Sequence, residues 1–238
     1  MRGNSVKNSS SFIPDTPADT GLNYPESPAA RSQWITGQRG QKSTLDPSRP
    51  YAWLLEKERD DDGSLVDWLT IFLTNKECPW RCLMCDLWQN TLDETVPAGA
   101  IAGQIDFAIG QAERECGGLA KLRQVKLYNA GSFFDVKAIP KAEDAAIAKR
   151  LAKFDRVIVE CHPALVGDRC LQFRDRLSGQ LEVALGLETV HPEALQKLNK
   201  RVTLDQFRAA AELVTQNGMA LRAFVLLQIG RASCRERV

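Results

Sequence analysis

Histidine is scarce in this 238-residue chain, which holds only His162 and His191. Together with the absence of H-E-x-x-H, G-x-S-x-G and a glycine-rich phosphate loop, that scarcity removes the usual hydrolase and nucleotide-binding motifs from consideration. Excess charge of one sign is missing too. The formal net charge is +1, so a polyanionic partner is neither demanded nor excluded, and no basic stripe or aromatic platform marks an RNA surface. No apolar run approaches the ~18–20 residues of a membrane span. The first residues, Met1-Arg2-Gly3-Asn4-Ser5, lack the apolar core of a secretory signal, so a cytoplasmic protein with no membrane association is expected. What remains is an ordinary globular composition, 44% hydrophobic and 26% charged, enough for one sizeable core.

Cysteine is the residue present in pattern. Three of the seven stand as Cys78-Pro79-Trp80-Arg81-Cys82-Leu83-Met84-Cys85, spaced C-x3-C-x2-C. Clustering of this kind in an unsecreted chain points to metal or redox chemistry rather than disulfides. Three thiolates on one loop can ligate three irons of a [4Fe–4S] cube and leave the fourth iron open to a substrate, whereas electron carriers close the cube with four cysteines. The alternatives are a zinc site, which wants a fourth ligand, or plain buried thiols. Cys116, Cys161 and Cys170 read as small buried hydrophobes. Trp80 and Trp88 flank the loop and are expected to shield it by packing.

Read in order, residues 1–48 are rich in Ser, Asn, Pro, Thr and Gly without periodicity and are expected to form a mostly disordered leader. Tyr51–Arg59 reads as a short helix or an extended lead-in. The first strand with a clear apolar pattern is Leu65–Thr74, and the cysteine loop leaves its C-terminal end. Helices are expected from about Pro97 to just before Cys116, from Ile139 to about Lys153, over 164–178, from His191 to Asn199 and from Leu204 to Asn217. Strands are expected at Gln124–Asn129, Arg156–Glu160, Leu181–Leu187 and Ala220–Leu227. The last of these is nearly all apolar, as a doubly covered parallel strand would be. The alternation predicts an α/β fold with a parallel sheet and right-handed crossovers, an open or closed βα barrel. Chemistry in such folds sits at strand C-termini, where Cys78–Cys85, Asn129–Ser132, Glu160 and Glu188 all fall. Residues 229–238, including Cys234, read like translated sequencing adapter, so a natural chain continuing past Gln228 is expected.

C-x3-C-x2-C with bulky Met84 before the last cysteine, on the loop after the first strand, resembles the radical SAM superfamily. The wider pattern is similar to its Elp3-like, coproporphyrinogen-oxidase-like and methylthiotransferase-like branch. Tyr128-Asn129-Ala130-Gly131-Ser132 stands where the superfamily has Gly-Gly-Glu. Glu160-Cys161-His162-Pro163 resembles E-x-x-P, and Gly186-Leu187-Glu188-Thr189 resembles G-x-Q-S with Glu188 for Gln. Asn199-Lys200-Arg201-Val202-Thr203 resembles N-R-G-H-T. Taken together, about residues 50 to 228 look like a family of Elp3-like Fe–S oxidoreductases, whose archaeal members include the radical SAM lyase that forms archaeosine in tRNA.

The resemblance implies a partial (βα)6 barrel of radical SAM type, incomplete after the fifth strand, over residues 49–228. It implies a [4Fe–4S] cluster on Cys78, Cys82 and Cys85, and S-adenosyl-L-methionine closing the fourth iron. Asn129, Ala130, Gly131 and Ser132 would meet its methionine moiety, Glu160 and Glu188 a ribose hydroxyl or the ammonium, and Lys200 the carboxylate. The implied partners are a one-electron donor such as flavodoxin or ferredoxin and a tRNA substrate. No catalytic residue beyond the cluster ligands is assigned, and oxidoreductase, lyase and transferase outcomes stay open. The reading from a different class is a non-catalytic Fe–S or zinc-binding module. For Asn129–Ser132 the bland reading is a ligand-free turn, for Glu160 and Glu188 structural ion pairs, and for Lys200 a solvated helix-end lysine. His162 reads as a satisfied strand-end histidine, and His191-Pro192 as a helix start.

Overall fold

The computed structural model describes residues 24–60, 62–117 and 122–227. Residues 1–23 of the expected leader and the adapter-like residues 229–238 lie outside them. A six-stranded sheet runs β1 (Ala52–Arg59), β2 (Leu65–Leu73), β3 (Gln124–Asn129), β4 (Arg156–Cys161), β5 (Gln180–Glu188) and β6 (Ala220–Val225), in that spatial order. β2 through β6 are parallel and match the five expected strands. β1 pairs antiparallel with β2 across a tight turn, where Gly63 takes φ 82° and its N–H donates to the Asp60 carbonyl. The extended alternative for residues 51–59 is therefore the realised one.

Strand alternation sends the two faces to different fates. Leu69, Ile71, Val125, Leu127, Val157, Val159, Leu181 and Val183 face one way and are fully buried or nearly so. They join one core cluster with helix residues of α2 (Ala100–Cys116), α3 (Asp144–Leu151), α4 (Asp168–Arg174) and α6 (Leu204–Gln216), among them Ile101, Ile105, Ile147, Phe173 and Val214. Burial of one such side chain is worth roughly 1.5–3 kcal/mol, so this cluster supplies most of the driving force. α2 has no side-chain cap of its own. Glu143 from the next crossover provides one, accepting from the N–H groups of Gly99 at 3.2 Å and Ala102 at 3.0 Å.

On the other face Trp68, Ile158 and Ala184 form a small cluster with Tyr128 and Phe224, and among the described residues no helix joins it. Interleaved with that cluster, on the N-terminal halves of β3 to β6, charges are paired. Lys126 is 2% exposed and meets Glu56 at 2.7 Å and also Glu58. Glu182 meets Arg156 at 2.7 Å and Arg222 at 2.6 Å. The expectation of a doubly covered last strand fails at β6, an edge strand with helices on one face only, whose Val225 is 55% exposed. No helix among the described residues is long and apolar enough to cross a membrane.

The expected leader is corrected over residues 28–37, which form helix α1 (Pro28–Gly37), started by the Ser27 N-cap with Pro28 in the first turn. Hydrophobic periodicity could not reveal it because it docks through polar groups. Buried Arg31 donates to the Pro25 carbonyl at 2.7 Å and the Gln196 carbonyl at 2.8 Å, and the Tyr24 hydroxyl donates to the Lys197 carbonyl at 2.6 Å. Both of the latter carbonyls sit at the end of α5 (Pro192–Lys197), where a helix has acceptors to spare and favours a cation.

Candidate functional site

The cysteine loop begins where β2 ends, and α2 fixes that departure point. Buried Gln104 accepts from the Thr74 N–H at 2.8 Å and donates to the carbonyls of Thr74 and Pro47, each at 2.8 Å. The base of the loop is closed by backbone bonds between Leu92 and Asn75 and between Glu77 and Leu92, each 2.9 Å. Glu77 gathers Arg39 at 2.7 Å, Lys42 at 2.9 Å and Arg81 at 3.1 Å, and Arg81 turns back to the Cys78 carbonyl. The Leu83 N–H donates to the Leu198 carbonyl at 2.9 Å, tying the loop to the segment between α5 and α6. Gln104 and Glu77 were not singled out from sequence. An isolated Gln on a helix and one acid in a charged loop carry no spacing signal.

One cavity of about 380 Å³ opens at the strand C-termini, and Cys78, Cys82 and Cys85 line it together with Asn129, Ala130, Gly131, Glu160, Glu188 and Lys200. Gly131 has φ 140°, and a Cβ there would stand 2.9 Å from the Cys78 Cβ, so only glycine lets the β3 end approach the first cysteine this closely. Ser132 is the exception among the sequence candidates. It lies behind the cavity wall, its hydroxyl accepting from the His162 N–H at 3.2 Å and donating to the Cys161 sulfur at 3.4 Å. Cys161 and Cys170 are buried, whereas Cys116 is exposed at the end of α2 rather than buried.

The cavity's polar groups are unevenly satisfied. Asn129 is 1% exposed, yet neither its Oδ1 nor its Nδ2 has a hydrogen-bond partner among the described residues. An orphaned amide of this kind costs about 1–3 kcal/mol unless a ligand or water meets it. Among the described residues Glu160 accepts only from the Asn129 N–H at 3.3 Å, and burial pushes its carboxyl up to about 7, with that bond and the nearby Lys200 opposing the shift. Glu188 and Lys200 form an ion pair, with Glu188 itself at φ 65° beside a bulge in β5. Arg201 points away and donates to Ser32 Oγ at 2.8 Å, so Lys200 alone of the two basic residues reaches the cavity.

His162 also lines the cavity, but both ring nitrogens are committed. Nδ1 accepts from the Ala164 N–H at 3.1 Å, which assigns the proton to Nε2, where the Lys200 carbonyl accepts it at 3.1 Å. Its ring stacks on Trp80 with centroids 3.8 Å apart and planes 10° from parallel. Burial lowers its pKa to about 4, so it is neutral near pH 7. His191 is spent as the cap of α5, accepting from the Ala194 N–H at 3.3 Å.

Burial pushes the thiols of Cys78 and Cys82 up to about 12 and about 11, and raises Cys85 as well. Loading a metal group must therefore displace protons. No three His, Cys, Asp or Glu side chains among the described residues converge as ligands of a single ion. A zinc ion requires that convergence, each sulfur about 2.3 Å from the metal. A cubane takes its thiolates at separate corners, and the chemistry of three cysteines around an open cavity fits it.

No family model matches the chain. The uncharacterized protein MJ0550 of Methanocaldococcus jannaschii is 27% identical over 197 residues, 79% of this chain and 54% of that protein. Archaeosine synthase subunit beta of Methanosarcina acetivorans is 27% identical over 180 residues, 70% of this chain and 50% of its own length. The chain thus spans about half the length of these curated relatives. Among solved structures it is similar to the cobalamin-dependent S-adenosylmethionine radical enzyme OxsB with aqua-cobalamin and S-adenosylmethionine bound. That match has a TM-score of 0.48 and 16% identity, and covers 65% of this chain and 23% of the other.

Proposed function

We propose that this chain binds a [4Fe–4S] cluster and S-adenosyl-L-methionine and belongs to a radical SAM enzyme. The observation that carries the reading is one cavity with three cysteines on one wall, and the unpartnered Asn129 amide and the Glu188–Lys200 pair on the others. Cys78, Cys82 and Cys85 would ligate the cluster, which when bound would supply the one-electron reduction that cleaves S-adenosyl-L-methionine reductively. Asn129 offers an acceptor and two donors to an amino acid moiety, with Gly131 allowing its backbone close approach. Lys200 matches a carboxylate and is held by Glu188, while Glu160 accepts from a hydroxyl or an ammonium. Ser132 has its hydroxyl committed and acts only by shaping the turn. Trp80, flat on His162, covers the loop between the first two cysteines and excludes water there. The one-sided helical layer supports a partial (βα)6 barrel in which the uncovered face is the interior.

The substrate class follows the resemblance, and the similarity to archaeosine synthase subunit beta supports it: a modified nucleoside in tRNA, with a small one-electron carrier as reductant. Anaerobic reconstitution tests the core of the reading. The protein is expected to hold about four irons per chain and, with dithionite, to release 5′-deoxyadenosine. Zinc at tetrahedral geometry, or a cluster that binds no S-adenosyl-L-methionine, would overturn it.

A further inference from the structure

The turn that carries Lys200 is strained and held from both sides. Asn199 and Arg201 take φ 55° and 58°, the left-handed region that costs a non-glycine residue about 1–3 kcal/mol unless its surroundings over-determine it. Between them Lys200 is 7% exposed and directed into the cavity. Asn199 is 2% exposed, and its Nδ2 donates to the Arg81 carbonyl in the cysteine loop at 2.8 Å and to Ser32 Oγ on α1 at 3.1 Å. Arg201 donates to the same Ser32 hydroxyl at 2.8 Å, and that hydroxyl donates to the Pro28 carbonyl at 3.0 Å. On the inner side the Lys200 carbonyl accepts from His162, whose ring stacks on Trp80 of the cysteine loop.

Two arms therefore connect this turn to the loop: Asn199 to Arg81 directly, and Lys200 through His162 to Trp80. Trp80 and Arg81 are two of the three residues between Cys78 and Cys82, so both arms end on the stretch that sets the spacing of the first two thiolates. The Lys200 ammonium and those thiolates belong to different crossovers of the sheet, and the backbone bond from the Leu83 N–H to the Leu198 carbonyl is the one further tie between loop and turn among the described residues. From this we infer that Asn199 and His162 are positioning residues. They fix the Lys200 turn at a set distance from the cysteine loop so that one ligand can bridge the two, and Ser32 of α1 locks the brace from outside. The inference rests on the reading of the cavity as an S-adenosyl-L-methionine site, and assigns its geometry to residues that need not touch that ligand.

Asn199→Gly keeps the left-handed backbone and removes both donor bonds, and His162→Phe keeps the stack on Trp80 while removing the bond to Lys200. Each reconstituted variant is compared with the parent for iron content, for S-adenosyl-L-methionine affinity by equilibrium dialysis, and for the change that ligand makes in the electron paramagnetic resonance of the reduced cluster. The expected result is about four irons retained, affinity weakened roughly tenfold, and a broadened or lost ligand-induced spectral change. Parental affinity and an unchanged spectral response in both variants would overturn the brace. Should either variant fail to load iron, Ser32→Ala cuts the brace at its outer end without touching the loop. A loss of affinity about two- to threefold supports the proposal there, and parental affinity overturns it. Failure of the parent itself to bind cluster or ligand would instead overturn the functional reading.

Discussion

The two ends of the uncovered sheet face carry similar residues in opposite conditions. Toward the strand N-termini Lys126, Arg156 and Arg222 meet Glu56, Glu58 and Glu182 in ion pairs, and Lys126 also lies 5.1 Å from the centroid of the Trp68 ring. Toward the C-termini Asn129 has no side-chain partner and Glu160 has one backbone donor. Buried polar groups that answer one another are finished structure, and removing one member leaves an uncompensated charge. Buried polar groups left unanswered are stable only if something else meets them. The difference marks Asn129 and Glu160 off from the ion-pair network, while the Glu188–Lys200 pair is answered at the C-terminal end as well, and it can be broken from either end.

The largest effect belongs at the C-terminal end. Cys82→Ala is expected to abolish cluster assembly, taking iron from about four per chain to background in an anaerobic iron assay, since two thiolates cannot hold the cube. Thermal stability of the metal-free protein should hardly move, because the half-buried thiol pairs with nothing. Lys126→Met should do the reverse. It leaves Glu56 with the Thr70 hydroxyl and Glu58 with Arg222, and should lower unfolding free energy by about 1–2 kcal/mol in urea titration. Iron content and ligand affinity should stay at parental values. A loss of affinity in this variant would erase the distinction between the two ends.

Glu160 tests the contrast through pH. Its folded-state pKa is raised to about 7, above the usual carboxylate value, so the folded chain holds a proton that the unfolded chain has released. Its contribution is fully present below the unfolded pKa of about 4.5 and is lost as pH rises to about 7. His162 works in the opposite sense. Its pKa is lowered to about 4, so its stabilisation is lost as pH falls from about 6.5 to 4. The two slopes oppose one another over most of that window. In Glu160→Gln the falling slope is removed, and the variant should gain about 2–3 kcal/mol on the parent between pH 4.5 and 7. A pH-independent difference would show that Glu160 is already answered inside the fold.

Which of these features a sequence can show depends on what each one rests on. Parallel strands deliver their C-terminal residues to one edge, so a reading of strand ends could foresee that Cys78–Cys85, Asn129, Glu160 and Glu188 would meet. Lys200 came by resemblance, because a residue in a turn between helices has no periodic signal. Ser132 was misassigned to the ligand side, since strand alternation stops applying where the chain turns after Asn129. α1 was hidden because Arg31, Ser32 and Tyr24 dock by hydrogen bonds to α5 and the Lys200 turn rather than by an apolar stripe. The ion-pair layer was half visible: Lys126 alternates within its strand, but its partners lie on β1, whose own residues fitted a helix or a strand equally.

Ser132→Ala makes the smallest and sharpest distinction, because Ser132 sits at the boundary of the two conditions. It neighbours Gly131 on the cavity wall, yet its hydroxyl is answered by Cys161 and His162, so it belongs with the finished structure. Removing it leaves the His162 N–H without its acceptor and deprives a weakly bonding thiol of a donor, which should cost about 1 kcal/mol. Ligand affinity should fall less than twofold, since nothing on the cavity side is lost. A residue contributing a hydroxyl to the ligand would show the opposite pattern, with affinity down tenfold at unchanged stability. Melting curves and equilibrium dialysis on the same preparation tell the two apart.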